Sequence, residues 1–225
     1  MGNEKLDKKL VETALSNEGD ENIRCKKVAY LLGLGGDVNA KDEHGTPLIV
    51  RLVASDRHFA VAKIFMEKGA DVNKTDNTWK SALMIASKYG NLEMVSNLID
   101  RGASLYDFDR QGWTALFYAA YYGNEDVVKE LIKRGAEVNH FSTQDVCVSP
   151  LMAGCIGWRG ESSKNVIRVL LENNANMQVK NKDGETVFDF AKSSRNDDLL
   201  EFLKAEKARL RGDGVWNNLC KMWNR

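Results

Sequence analysis

Gly69-Ala70-Asp71-Val72-Asn73, Gly102-Ala103-Ser104-Leu105-Tyr106 and Gly135-Ala136-Glu137-Val138-Asn139 are versions of one pentapeptide, and their leading glycines stand 33 residues apart. Gly35-Gly36-Asp37-Val38-Asn39 lies one step earlier, 34 residues before Gly69, and Asn174-Ala175-Asn176-Met177-Gln178 lies one step later. A second series runs in phase with the first: Thr46-Pro47-Leu48, Ser81-Ala82-Leu83, Thr114-Ala115-Leu116, Ser149-Pro150-Leu151 and Thr186-Val187-Phe188. Two series that hold one period across most of a chain mark a repeat architecture.

Residues 114–134 show what the unit contains. Thr114 is placed to cap a short helix running to Tyr122, its hydroxyl accepting from orphan backbone N–H groups. The small Ala119 and Ala120 let that helix sit close to its neighbours. Gly123 permits a turn, because positive φ costs glycine little. Val127, Val128, Leu131 and Ile132 then form the apolar stripe of a second helix, which Gly135 ends. The stretches rich in Asp, Asn and Gly between units read as extended hairpin loops.

The 33-residue spacing, the T-x-L opening, the small-residue pair, the glycine turn and the GADVN close together resemble an ankyrin repeat. The resemblance covers about residues 5 to 204. It implies an all-α solenoid of helix-turn-helix units joined by β-hairpin-like loops. The landmarks divide residues 1–204 into an N-terminal cap at 4–39, repeats at 42–73, 76–106, 109–139 and 145–178, and a C-terminal cap at 182–204. In the first cap Leu6, Leu10, Val11, Ala14 and Leu15 make one apolar face, and Ile23, Val28, Leu31 and Leu32 supply the second helix. Departures from the pattern are expected in loops. The first repeat reads as one loop residue short, with two residues gained around Ser55–His58. Trp79 stands where the second repeat's loop glycine belongs. The fourth repeat has a longer loop at His140–Val148 and an insertion around Gly157–Ser163.

Composition excludes much. Lys+Arg and Asp+Glu both number 32 in 225 residues, so there is no basic surplus to release counterions from a nucleic acid. No apolar run approaches the ~18 residues of a membrane span, and the charged start of the chain has no apolar core behind it as an export signal would. His44, His58 and His140 fall in three different loops, without partners at metal or catalytic spacing, and read as solvated. Cys25, Cys147, Cys155 and Cys220 contain no C-x-x-C pair, so neither zinc nor a cofactor is expected. Cys25 and Cys155 fall at packed helix positions, with Cys147 and Cys220 more exposed. No phosphate loop or nucleophile motif is present. The expectation is a protein that is not an enzyme; a hydrolase using Cys147 or Cys155 is the remote alternative.

The aromatic residues point to binding. In proteins of the family resembled, partners meet the loop residues and the ends of the first helices. Those positions hold Trp79, Lys80 and Tyr89, then Phe108, Arg110, Gln111, Trp113, Tyr121 and Tyr122, then Phe141, with Trp158 in the insertion. Trp, Tyr and Arg clustered on one face are the side chains of interface hot spots. Loops spaced by about one helix diameter, ~10 Å, would align Trp79, Trp113 and Phe141 as a row on a concave face. Some of these aromatics should instead pack sideways onto neighbouring loops.

Beyond the caps, residues 205–225 form a basic tail in which Trp216, Leu219, Cys220 and Trp223 share one helical face. That short helix either folds back over the end of the solenoid or docks on a membrane or partner. The functional expectation is a cytoplasmic protein, or a secreted effector reaching a host cytosol, that binds another protein as adaptor, inhibitor, assembly factor or effector. The alternative is a peripheral membrane protein held by its tail.

Overall fold

Short polar side chains start the first helix of successive hairpins. The hydroxyls of Ser81, Thr114 and Ser149 accept from the amides of Met84, Phe117 and Met152, each at 3.3 Å. Each pairs with one of the N–H donors that a helix N-terminus leaves without a partner. The computed structural model describes residues 2–142, 147–157, 161–193 and 197–212. The expected face of Trp216, Leu219 and Trp223 lies outside them, as does Trp158.

The chain divides into two compact units, Met1–Arg110 and Gln111–Arg225. In the first, α1 (Gly2–Leu15) pairs with α2 (Glu21–Gly33), α3 (Leu48–Leu52) with α4 (Phe59–Glu67), and α5 (Ala82–Tyr89) with α6 (Leu92–Asp100). First helices stack on first helices, α1 on α3 and α3 on α5, while α2 packs on α4. The layer between them buries Val28, Leu31, Leu48, Leu52, Val61, Phe65, Leu83 and Val95. Burying one such side chain contributes about 1.5–3 kcal/mol.

The second unit repeats the plan. α7 (Ala115–Tyr121) pairs with α8 (Glu125–Lys133), α9 (Pro150–Ile156) with α10 (Glu161–Glu172), and α11 (Val187–Ser193) with α12 (Asp197–Gly212). α7 stacks on α9 and α9 on α11, with α8 and α12 on either side of α10. Leu116, Val128, Leu131, Leu151, Ile167 and Leu170 fill the interior. The all-α class is therefore as expected, and among the described residues no strand forms.

The asparagine of the recurring pentapeptide ties one repeat to the next. Asn73 accepts from Ser104 N at 2.9 Å and donates to Gly102 O at 3.0 Å. Asn139 accepts from Asn176 N at 2.9 Å and donates to Asn174 O at 3.1 Å. Asn39 accepts from Asp71 N. Tyr106 occupies this position in the third pentapeptide and has no amide with which to do the same.

Four sequence expectations need correction. The first-repeat loop is not short. Lys41 bridges Pro47 as Thr75 bridges Ser81, and Asp42 N donates to Thr46 O as Asp76 N donates to Lys80 O. Pro47, not Thr46, is thus the partner of Ser81 and stands at the cap of α3. Eleven residue steps then separate Pro47 from His58, against ten between Ser81 and Asn91, so one residue is gained there rather than two. Ile23 is exposed, together with Tyr30 and Leu34, because α2 turns Arg24, Val28 and Leu31 inward. His58 is not solvated: it is 8% exposed and packs near Arg24, itself 7% exposed. Finally α12 continues past residue 204 to Gly212, with Glu206 and Leu210 buried.

Candidate partner-binding surface

The loops are built by a side chain rather than by a long ladder. Asp76 Oδ1 accepts from Thr78 N at 2.8 Å, Lys80 N at 2.9 Å and the Thr78 hydroxyl at 2.7 Å. Asp42 and Asn181 cap their loops similarly, each accepting from two amides. Such Asx turns return the chain within four residues. The residue three after the cap must take positive φ, and Gly45 and Gly184 do so at 77° and 80°. In the second repeat that residue is Trp79, at φ 66°. Cys147 takes φ 44° in the longer fourth-repeat loop.

In the first unit the turn leaves Trp79 54% exposed. The Arg110 guanidinium lies over its ring, 5.8 Å from the centroid, and Arg110 N donates to Thr78 O at 3.1 Å. Phe108 is 44% exposed, while Lys80 is half-buried. Tyr89, the last residue of α5, is 57% exposed with the Lys88 ammonium 5.3 Å from its ring centre. Sequence reasoning passed over Tyr106, which is 65% exposed; its signal was an aromatic in place of the bracketing asparagine.

In the second unit the aromatics form a stack. Trp113 is half-buried, its ring 4.5 Å from Phe117 and 5.7 Å from Tyr121, with Tyr118 edge-on at 5.5 Å. Tyr121 in turn meets Tyr122 at 5.1 Å. Tyr121, Tyr122 and Phe141 are half-buried. Part of each ring is therefore committed to packing and part remains open. The end of α7 is fixed by a backbone approach: a Cβ on Gly157 would meet the Tyr121 carbonyl, 2.6 Å from its carbon. Only glycine fits there.

Among the described residues, burial is the first cause of the shifts at Cys155, Cys25 and His58. Cys155 is buried in α9, and burial pushes its thiol far up, so it holds no thiolate at neutral pH. Burial and the Glu21 carboxylate raise the Cys25 thiol. His58 is driven toward its neutral form by burial and then by Arg24, against the pull of the Leu15 and Ser16 carbonyls. Among the described residues no three His, Cys, Asp or Glu side chains converge as metal ligands. No described helix is long and apolar enough to cross a membrane.

A family model described as ankyrin repeats, in three copies, matches residues 51–142. An ankyrin repeat protein of Acanthamoeba polyphaga mimivirus is 34% identical over 99 residues, covering 42% of this chain. The match spans 60% of that relative's length.

Proposed function

Because residues 51–142 match ankyrin repeats, which generally mediate protein–protein interaction, we propose that this chain is a non-enzymatic module binding a protein partner through its loops and the ends of its first helices. In Met1–Arg110 the binding residues are Trp79, Lys80, Tyr89, Phe108 and Arg110. In Gln111–Arg225 they are Trp113, Tyr121, Tyr122 and Phe141. The observation that carries the reading is the exposure of Trp79, Tyr89 and Phe108 on loop and helix-end positions, the first two beside the cations Arg110 and Lys88. Large apolar side chains held in water beside polar ones are what a partner covers.

The test captures partners with the full chain from its native source and identifies them by mass spectrometry. Trp79→Ala and Tyr89→Ala probe the first unit, Tyr122→Ala the second. Truncating an anchor costs about 2 kcal/mol, roughly thirtyfold in affinity. Wild-type capture by all three variants, each with unchanged melting, would refute this surface. A chain ending at residue 212 that loses its partner, or floats with liposomes less than the full chain, would move the function to the tail.

A further inference from the structure

A tryptophan at the left-handed loop position is a local contradiction. The turn asks for glycine, and its other hydrogen bonds are made by Asp76 and the backbone, so the indole contributes nothing to closing the loop. A bulky side chain at positive φ is an outlier, and such outliers collect at functional positions. Trp79 recovers little by burial, since it stays more than half exposed. Its described contact is Arg110, whose backbone is pinned to Thr78 O so that the guanidinium rests across the ring.

Of the charged side chains next to this pair, the carboxylates are engaged or buried, whereas Arg110 is exposed. Asp76 is spent inside its own turn, Asp107 accepts from the Ser104 hydroxyl, and Asp109 is buried. Among the described residues neither Arg110 nor Lys80 has an ion-pair partner. A guanidinium 5.8 Å from a ring centre keeps its planar fork free to grip a carboxylate with two hydrogen bonds.

We propose that Trp79 and Arg110 form a receptor for an acidic segment of a protein partner, Arg110 holding a carboxylate while Trp79 gives an apolar platform to the neighbouring side chain. The inference rests on the proposed protein-binding function and names the partner's chemistry. A peptide fits better than a nucleic acid, because the patch has two cations and the chain has no net charge to attract a polyanion.

The experiment selects displayed random linear peptides on the full chain. Individual winners are then measured against wild type, Arg110→Ala and Trp79→Gly. Enrichment of Asp and Glu beside Leu or an aromatic is expected, with affinity falling about tenfold or more in both variants and rising at low salt. Trp79→Gly should melt no lower than wild type, which separates lost binding from lost folding. Neutral or basic winners, or acidic ones indifferent to both variants, would overturn the inference. Winners lost only with Tyr122→Ala would overturn it while leaving the protein-binding function standing. A single-stranded oligonucleotide that binds wild type and is lost with these variants would overturn both.

Discussion

Gly157→Ala should be among the most damaging single-methyl additions in the second unit. The added Cβ would overlap the Tyr121 carbonyl oxygen, lying 2.6 Å from its carbon and 2.8 Å from its Cα. All three are backbone atoms at the end of α7, so no rotamer change relieves the clash. Either α9 or the end of α7 must shift by about 1 Å or more, in an interior that transmits strain because it is close-packed. Overpacking costs about 1–3 kcal/mol where side chains can yield. With backbone on both sides the upper end, about 3 kcal/mol, is expected, which is roughly 6–12 °C in melting for a chain of this size. Gly135→Ala is the internal control. Gly135 has φ 97° with open space around it, so its alanine variant should lose only the left-handed cost of about 1–2 kcal/mol. Urea unfolding of both variants, with hydrogen exchange at α7 and α9, gives the comparison. A Gly157→Ala protein within 0.5 kcal/mol of wild type, or more stable than Gly135→Ala, would refute the reasoning.

Asn73→Ala removes an acceptor for Ser104 N and a donor to Gly102 O, so the first unit should lose about 1–2 kcal/mol and the Ser104 amide should exchange faster; an unchanged Ser104 rate would count against the bracket. Acid should weaken the first unit through His58. Its folded-state affinity for protons is lowered by burial and by Arg24, with Arg51 adding to this, so its contribution is intact above the unfolded pKa of about 6.5 and lost as pH falls below it. Stability measured from pH 7.5 down to 5 should fall more steeply for wild type than for His58→Gln; parallel profiles would sink that assignment. In the second unit, α9 and α10 should exchange faster than α7 and α8, since Cys147 and Asn174 hold positive φ around them without glycine. Equal protection would show these departures to be free of cost.

The period was legible in the sequence because glycine and small polar residues are forced at turns and caps, and those constraints survive every change in the helices. Register within a repeat was harder. Matching Thr46-Pro47-Leu48 to Ser81-Ala82-Leu83 by letter misplaced the first loop by one residue, whereas Asp42, 34 residues before Asp76, had the loop right. Burial of His58 was written in the same count, as it precedes Asn91 by 33 residues and shares its place before a second helix. Trp113, Phe117 and Tyr121 recur every four residues, the spacing of one helix face. Their stacking was therefore visible in principle, but an aromatic at a loop position reads as exposed until its helix is built. The Gly157 approach could not be read at all, since it depends on two backbones meeting from different repeats.

The loop design explains why this fold can carry Trp79. In a helix or strand, a residue in an unfavourable conformation interrupts a hydrogen-bonded ladder and its cost spreads to neighbours. Here the turn is closed by one carboxylate and two backbone hydrogen bonds, Asp76 N to Lys80 O and Trp79 N to Asp76 O, and none of these uses the side chain of residue 79. The cost is thus confined to a single φ angle in a single repeat. In repeat proteins stability is close to a sum of terms for each repeat and for its interfaces with immediate neighbours. A strained loop on one repeat can then be carried by the buried layers of Leu83, Val95 and Leu98 beneath it, without loosening the helices that position it. The same separation predicts that Trp79 can be exchanged for Gly without disturbing α5, and that what is lost is the surface the indole presents.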